Sequence, residues 1–291
     1  MKKILVTGAT GHLGGQVLKL LMEKVDPTSL SAIARDTAKL ASFKEQGVNV
    51  IQADYDNPDS LETAFAGIDS LYFVSGNDLI RRMTQHENVI NAAKKAGVKH
   101  IVYTSFQRAN ETESSAISLV SSSHLQTEKW LKESGMDYTI MKHNLYSEVV
   151  PAFIGDQVIN TGTIYLPVGD GKVAFASRTD MAKAGISVLT TEGHENKSYE
   201  ISSEYSYSFQ DIATILSEIS GKQIGYISPS VDEFKLTLAG FGVPKDGIDA
   251  AVMFSTGIKD GEFNFPGKTL ENLIGHQPES LSETLRKFYS N

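Results

Sequence analysis

A glycine-rich segment near the amino terminus has the residue types and spacing that hold a phosphate group. Gly8, Gly11 and Gly14 follow the strand-like residues 4–7, and a helical pattern begins behind them. A pyrophosphate requires a tight turn, bare backbone and a helix amino terminus with free N–H groups. The spacing is Gly-x-x-Gly-x-x-Gly, not the commoner Gly-x-Gly-x-x-Gly, and a purely structural turn is the alternative. The segment predicts a dinucleotide cradle made of Gly8, Thr10, Gly11, His12, Leu13 and Gly14.

Two cations indicate which dinucleotide fits this cradle. The second apolar run ends at Arg35, and Lys39 follows one helical turn later. An acid at this place binds the ribose hydroxyls of NAD, whereas arginine meets the 2′-phosphate of NADP. Arg35 and Lys39 therefore favour NADP(H), although Asp36 complicates the pattern and both cations are also compatible with a solvated surface.

The elements that position these residues alternate regularly through the first half of the chain. Short β-branched runs at residues 3–7, 30–34, 48–53, 70–75, 100–105 and 138–142 predict strands. Helical patterns lie between them, as at residues 14–22 and 87–96. Such alternation is typical of right-handed βαβ crossovers around a buried parallel sheet. We therefore expect an α/β, doubly wound Rossmann domain over residues 1–150.

Polar residues end the fourth and fifth predicted strands. Ser75 and Gly76 end one, and Thr104 and Ser105 end the other. Ligands of open α/β sheets lie along this carboxyl edge, so the four residues are candidate cofactor contacts. Ordinary strand-ending polar residues are the alternative.

The second half of the chain has a looser pattern. Proline and glycine interrupt residues 151–171 before a helical pattern at 180–189, and Ser208, Ser230 and Ser280 each precede an acid by three residues, which predicts helix caps. We expect residues 151–291 to form a smaller, mostly helical substrate-side region, part of which packs back on the Rossmann domain. The serine-rich residues 114–123 predict a mobile loop or lid.

Composition narrows the possible partners and compartments. The 291 residues include no cysteine and carry a net charge of −8. Disulfides and thiolate chemistry are excluded, and nonspecific binding to nucleic acid is disfavoured. No acid or histidine cluster predicts a metal, and the apolar run at the amino terminus is too short for a signal peptide or membrane span. We expect a cytoplasmic monomer or homodimer that binds no membrane.

Several motifs resemble the NmrA-like branch of the atypical short-chain dehydrogenases/reductases. Within that branch they are similar to the NADPH-dependent quinone oxidoreductases and triphenylmethane reductases. The resemblance covers nearly the whole chain. Besides the glycine turn, it rests on residues 33–35 (IAR), 52–55 (QADY), 85–94 (QHENVINAAK), 102–105 (VYTS), 169–172 (GDGK), 268–270 (KTL) and 273–276 (LIGH).

The resemblance also implies roles for individual residues. It makes Asp54 an acceptor for the adenine amino group with Tyr55 beside it, although this stretch is also good turn sequence. Residues 142–146 (KHNLY) depart from the Arg-Asn-Gly or Arg-Pro of related proteins. By position, Lys142 and Asn144 are expected cofactor contacts. Tyr146 is expected to offer a flat surface to an aromatic acceptor, with an ordinary core position as the alternative.

Ordinary members of the superfamily use a Tyr-x-x-x-Lys pair on one helix face. The string at residues 138–142 has strand composition, which separates the two side chains by roughly 13 Å, so it is not that pair. Alignment on Glu128 puts His124 at the lysine position and Val120 at the tyrosine position. The usual proton donor is therefore missing.

This absence favours some reactions over others. A reduced carbonyl needs a proton at once, whereas a quinone spreads its new charge over oxygen and ring and takes a proton from water. We expect a reductase that transfers hydride to a quinone or similar flat acceptor, with His124 orienting the nicotinamide ribose or the acceptor. His124 could equally be structural. The main alternative function is an NmrA-type redox sensor acting through protein contacts; a carbonyl reductase or epimerase would need the missing tyrosine.

Overall fold

In a computed structural model, which describes residues 2–290, one parallel sheet of seven strands is covered by helices on both faces. The strands are β1 (Ile4–Val6), β2 (Leu30–Ala34), β3 (Asn49–Gln52), β4 (Ser70–Phe73), β5 (His100–Phe106), β6 (Asp137–His143), β7 (Thr163–Tyr165), β8 (Lys172–Val173), β9 (Lys197–Ile201), β10 (Tyr207–Ser208) and β11 (Gly225–Ile227). The helices are α1 (His12–Leu21), α2 (Ala41–Glu45), α3 (Pro58–Phe65), α4 (Arg82–Ala96), α5 (Ser118–Glu133), α6 (Val150–Ile154), α7 (Val158–Thr161), α8 (Arg178–Thr190), α9 (Phe209–Ser220), α10 (Val231–Gly240), α11 (Lys245–Lys259), α12 (Thr269–Ile274) and α13 (Leu281–Tyr289).

The strand order places the predicted site at a topological switch point. The order is β3-β2-β1-β4-β5-β6-β9, so the chain winds outward in one direction from β1 and then in the other from β4. Crossovers on opposite sides leave a crevice at the carboxyl ends of β1 and β4, where open α/β sheets bind ligands. The doubly wound Rossmann-type fold is confirmed.

Two helical layers bury the two faces of the sheet. On one face α1 and α8 pack against each other, with Val17 and Met181 in a core that also contains Val6. On the other face α3, α4 and α5 form the second layer around Phe65 and Ile90. Burial on both faces explains why the central strands are nearly continuous apolar runs.

The region after α7 forms a further core and contributes to the main sheet. Its helices α9 and α13 pack around Phe209 and Leu285, with two small two-stranded sheets, β8 with β10 and β7 with β11. Strand β9 pairs with β6 as the seventh strand of the Rossmann sheet. No helix among residues 2–290 is long and apolar enough to cross a membrane.

The six predicted strands and the predicted helix caps are confirmed, with strand ends shifted by a residue or two. Ser208, Ser230 and Ser280 each form a capping box. The prediction of a loop over 114–123 was wrong from Ser118 onward, because α5 begins there. Burial of Val120 and Ser121 outweighs the weak helix propensity of the serines.

Candidate cofactor and acceptor site

The glycine turn after β1 has the geometry of an anion cradle. Gly8 has a φ of 60°, and the Gly11 N–H donates to the Gly8 carbonyl at 2.9 Å. A Cβ on Gly14 would lie 2.4 Å from that same carbonyl oxygen, so only glycine fits there. Helix α1 has no side-chain cap, which leaves the N–H groups of its first turn free for an anion. The turn therefore fits a pyrophosphate.

The remaining turn residues have different positions. Thr10 and His12 are exposed at the mouth of the turn, whereas Leu13 is buried in the core beneath α1. Leu13 can contribute to the cradle through its backbone N–H alone, while its side chain anchors the helix to the sheet.

A cleft of about 510 Å³ extends from this turn across the carboxyl ends of β2, β3 and β4. Its volume lies in the range of small-molecule and cofactor sites. It brings eight of the predicted cofactor residues together. They are Gly8, Thr10, Gly11, Arg35, Asp54, Tyr55, Ser75 and Gly76.

The end of β2 presents two cations to this side of the fold. Arg35 lines the cleft, and Lys39 is exposed on the following turn, outside the cleft lining. Within residues 2–290, neither forms an ion pair within 4 Å. Asp36 is occupied elsewhere, because its carboxylate accepts the Ala38 N–H at 3.1 Å and caps the 3-10 turn Thr37–Leu40. The acid that complicated the sequence pattern is therefore a turn cap.

Tyr55 forms part of the cleft wall and holds three strands together. Its hydroxyl donates to the Val74 carbonyl at 2.9 Å and also hydrogen-bonds the Thr7 hydroxyl. The Val74 N–H donates to that same threonine oxygen at 2.9 Å. Burial raises the pKa of Tyr55, so the phenol stays protonated. Asp54 lines the cleft beside it, with one carboxylate oxygen accepting the Asp56 N–H at 3.1 Å.

Buried side chains fix the backbone at the end of β4. The Ser75 N–H donates to Thr104 Oγ1 at 2.9 Å, and the Gly76 N–H donates to His86 Nε2 at 3.0 Å. Thr104 is thus behind the cleft wall. Ser105 is also buried, where its hydroxyl donates to Glu128. Cofactor contact by Thr104 and Ser105 stays a prediction.

His124 belongs to a buried histidine cluster, made of Arg82, His86, Tyr103, His124 and Thr127. His86 Nδ1 lies 2.8 Å from Thr127 Oγ1, and His124 Nδ1 lies 2.7 Å from the Tyr103 hydroxyl. His124 Nε2 faces Arg82 at 3.4 Å and His86 Nε2 accepts from Gly76, so both rings carry their proton on Nδ1. Burial lowers the pKa of His86 to about 3 and that of His124 well below its usual value. Both rings are neutral near pH 7.

The residues after β6 contact the carboxyl-terminal region. Lys142 pairs with Glu200 at 3.1 Å. Asn144 Nδ2 donates to the Gln107 side chain and, at 2.9 Å, to the Phe263 carbonyl. These protein contacts occupy both side chains, so their cofactor roles stay predictions.

Tyr146 lies at the same junction. The Arg178 guanidinium is 4.6 Å from its ring centre, and burial raises the pKa of the phenol to about 12. Neighbouring His143 is buried, and neither of its ring nitrogens has a hydrogen-bond partner in the described part of the chain. Sequence reasoning missed His143 and Arg82, whose significance depends on burial that a local pattern does not report.

Comparison with known proteins assigns the family. A model of the NmrA-like family matches residues 1–286. The chain belongs to the NmrA-like family. This NmrA-like protein is 37% identical to quinone oxidoreductase 2 of Escherichia coli over 99% of both chains. It is also 30% identical to an NAD(P)H azoreductase of Xenophilus azovorans, over 85% of this chain and 84% of that one.

Solved structures agree with this assignment. The NADPH complex of the Escherichia coli quinone oxidoreductase superposes with a TM-score of 0.92 at 36% identity, over 99% of this chain and 100% of that one. The NADP(H) complex of Citrobacter triphenylmethane reductase superposes with a TM-score of 0.90 at 37% identity, over 98% of this chain and 99% of that one. The transcriptional regulator NmrA itself gives 0.79 at 12% identity, which shows a shared fold alone.

The predicted position of the superfamily tyrosine lies on α5. Val120, which the alignment on Glu128 puts there, is buried, and its equivalence to that tyrosine stays a prediction. His124 follows one turn later, neutral and bonded to Tyr103. Because its Nδ1 proton is engaged and its pKa is low, His124 is poorly suited to donate a proton near pH 7.

Proposed function

We propose that this protein is an NADPH-dependent reductase that transfers hydride to a flat aromatic acceptor, with quinones as the preferred class. The observation that carries the proposal is one cleft that contains both the glycine turn, whose helix has no side-chain cap, and Arg35, which forms no ion pair with the described residues. Whole-chain similarity to a quinone oxidoreductase and to dye and azo reductases supports the choice of acceptor.

The chain's own residues would bind and orient the cofactor. N–H groups of the glycine turn would bind the pyrophosphate. Arg35 and Lys39 would bind the 2′-phosphate, and Asp54 would accept a hydrogen bond from the adenine amino group. Backbone at Ser75 and Gly76, fixed from behind by Thr104 and His86, would line the path toward the nicotinamide. NADPH, when bound, supplies the hydride.

The site suits acceptors that need no protein acid. No tyrosine stands at position 120, and His124 is neutral with an engaged proton. A reduced quinone delocalises its charge and takes its proton from water, so it can turn over without such a group. Simple ketones require the missing acid and should react poorly.

Steady-state kinetics test this function directly. Oxidation of NADPH and NADH is followed with a panel of quinones, triarylmethane dyes and simple ketones. We expect kcat/KM to be higher with NADPH than with NADH, and higher with quinones or dyes than with ketones. Tight NADPH binding without oxidation by any acceptor would replace the reductase with the redox-sensor function.

We also propose the setting in which the protein works. The cysteine-free sequence suits the reducing cytoplasm, and the net charge of −8 opposes binding to nucleic acid. A small aromatic molecule is the expected partner of a monomer or homodimer. Residues 1–150 would hold the cofactor, and residues 151–291 would complete the acceptor side.

A further inference from the structure

The side chain of Arg82 is a buried cation with almost no partners. The residue is 7% exposed at the start of α4, and its Nε has no hydrogen-bond partner. Within the described chain, its guanidinium makes one hydrogen bond, between Nη1 and His124 Nε2 at 3.4 Å. A guanidinium carries several N–H donors, so most of its bonding capacity is unused.

No acid in the described structure lies within ion-pair distance of this charge, and Asp78 acts on it only from farther away. Arg82 forms no ion pair within 4 Å, and its neighbour Asp78 instead accepts from Arg81 Nε at 2.8 Å. Burial lowers the pKa of Arg82, and His124 beside it is neutral. An unpaired buried charge costs several kcal/mol of stability, so such an arrangement indicates a site that binds a negative group.

The surroundings of Arg82 connect it to the cofactor cleft on one side and to an aromatic ring on the other. Arg81 and Gln85, on the same first turns of α4, line the cofactor cleft. On the other side, Phe106 at the carboxyl end of β5 stacks on His124 with ring centres 5.9 Å apart. Arg82 is therefore next to two cleft residues at the start of α4 and shares its partner His124 with a half-buried aromatic ring that is suited to a flat molecule.

We propose that Arg82 binds the oxygen of the acceptor that becomes negative when hydride arrives. The inference rests on the proposed function and adds to it a side chain that stabilises the negative charge of the transition state. The hydride with its electron pair leaves NADPH and adds to the quinone, giving NADP⁺ and a hydroquinone monoanion. Arg82 holds that anionic oxygen until a water proton converts it to the hydroquinone.

Chemical rescue of Arg82→Ala tests the role of the charge. With 1,4-naphthoquinone, kcat should fall about 100-fold while the Kd for NADPH stays within about twofold. Millimolar ethylguanidinium should restore much of kcat, whereas ethylurea, which has a similar shape and no charge, should not. The exposed Arg286→Ala is the matched control and should behave as wild type. Unchanged kcat in Arg82→Ala, or a loss confined to NADPH binding, overturns the proposal.

Binding of an anionic quinone separates this proposal from the reductase function. The probe is 2-hydroxy-1,4-naphthoquinone, whose enol is ionised at neutral pH, titrated into the NADP⁺ complex. Wild type should bind it at least about tenfold more tightly than Arg82→Ala. If wild type binds the probe more tightly than Arg82→Ala but oxidises no NADPH, the anion site is supported and the reductase function is rejected. Equal binding by both proteins rejects the anion site even if the reductase is active.

Discussion

Arg35 and Asp36 are adjacent at the end of β2, yet their side chains have different tasks. Arg35 lines the cleft without a carboxylate partner, while Asp36 caps the following turn. The sequence alone predicted the cation and left the role of the acid open. A hydrogen bond to a backbone N–H two residues later resolves that role, which residue type does not reveal.

Removal of Arg35 should change cofactor preference. Arg35→Ala is expected to weaken NADPH binding about 10- to 150-fold, because one charge-assisted contact contributes about 1.5–3 kcal/mol. NADH binding should hardly change. Fluorescence titration with both nucleotides measures the effect, and equal losses for the two would contradict the assignment of Arg35.

Gly11 offers a test of the phosphate cradle. It has φ −91° and ψ 171°, which valine also adopts, and an added Cβ would lie 3.2 Å from the Gly8 carbonyl. Gly11→Val should therefore fold but lose NADPH binding, since its side chain blocks the approach of pyrophosphate. Circular dichroism checks the fold and fluorescence titration the binding. Wild-type affinity in this variant would exclude the turn as the cradle.

His124 should act by positioning and not as an acid. His124→Ala is expected to lower quinone turnover by about tenfold or less, and to destabilise the protein by about 1–3 kcal/mol because Tyr103 loses a buried partner. The pH–rate profile of wild type should lack an inflection near 6.5 from this ring. A loss near a thousandfold, with a wild-type rate that falls as a group near pH 6.5 deprotonates, would make histidine the proton donor.

At the scale of elements, the predictable parts are those with strong local patterns. Strands β1 to β6 were predicted because they contain apolar, β-branched runs, which the central strands need because they are buried on both faces. Strand β9 was missed because Lys197–Ile201 is mostly polar and largely exposed at the sheet edge, so it lacks the apolar run of a buried strand. The first turn of α5 was missed because its serines favour loops in isolation, and long-range burial decides their conformation.

The loop between β5 and α5 is tied to the carboxyl-terminal region by a buried acid, Glu262, in addition to the Arg108–Glu128 ion pair at its start. Glu262 accepts the N–H groups of Ala109 and Asn110 at 2.8 and 2.9 Å, and the Ser115 hydroxyl at 2.5 Å. The carboxylate thus ties this loop to the carboxyl-terminal region. The arrangement satisfies donors that a loop would otherwise leave buried and unbonded.

Glu262→Gln should loosen this loop. The amide side chain of this variant would accept fewer hydrogen bonds than the carboxylate, and its NH₂ group would face the N–H donors of the loop. The free energy of unfolding should therefore fall by about 1–3 kcal/mol. Hydrogen exchange at Ala109 and Asn110 should become faster, while Glu113→Gln, an exposed acid in the same loop, should leave it unchanged. Unaltered exchange in Glu262→Gln would show that the loop is held by other contacts.

At the scale of the whole molecule, buried neutral histidines couple stability to pH. His86 and His143 have pKa values lowered to about 3 by burial, and that of His124 is also well below its usual value. Below about pH 6.5 the unfolded chain takes up protons that the folded protein does not. The free energy of unfolding must therefore fall as the pH falls through this range.

Urea unfolding at about pH 7 and about pH 5.5 measures this coupling. We expect a loss of about 1 kcal/mol for each of the rings of His86, His124 and His143, with a smaller loss from His100, whose pKa burial also lowers. The exposed His276→Gln is the matched control and should lose as much stability as wild type. Equal stability at the two pH values would mean that the rings are protonated in the folded protein.

Strand β9 also has a consequence for synthesis of the chain. The edge of β6 stays open until residues 197–201 have left the ribosome. Met181 of α8, which covers one face of the sheet, is likewise synthesised after the first six strands. An uncovered edge is a template for pairing with other chains. The nascent Rossmann sheet thus passes through an interval in which aggregation competes with folding, and chaperones that bind extended apolar segments would act during that interval.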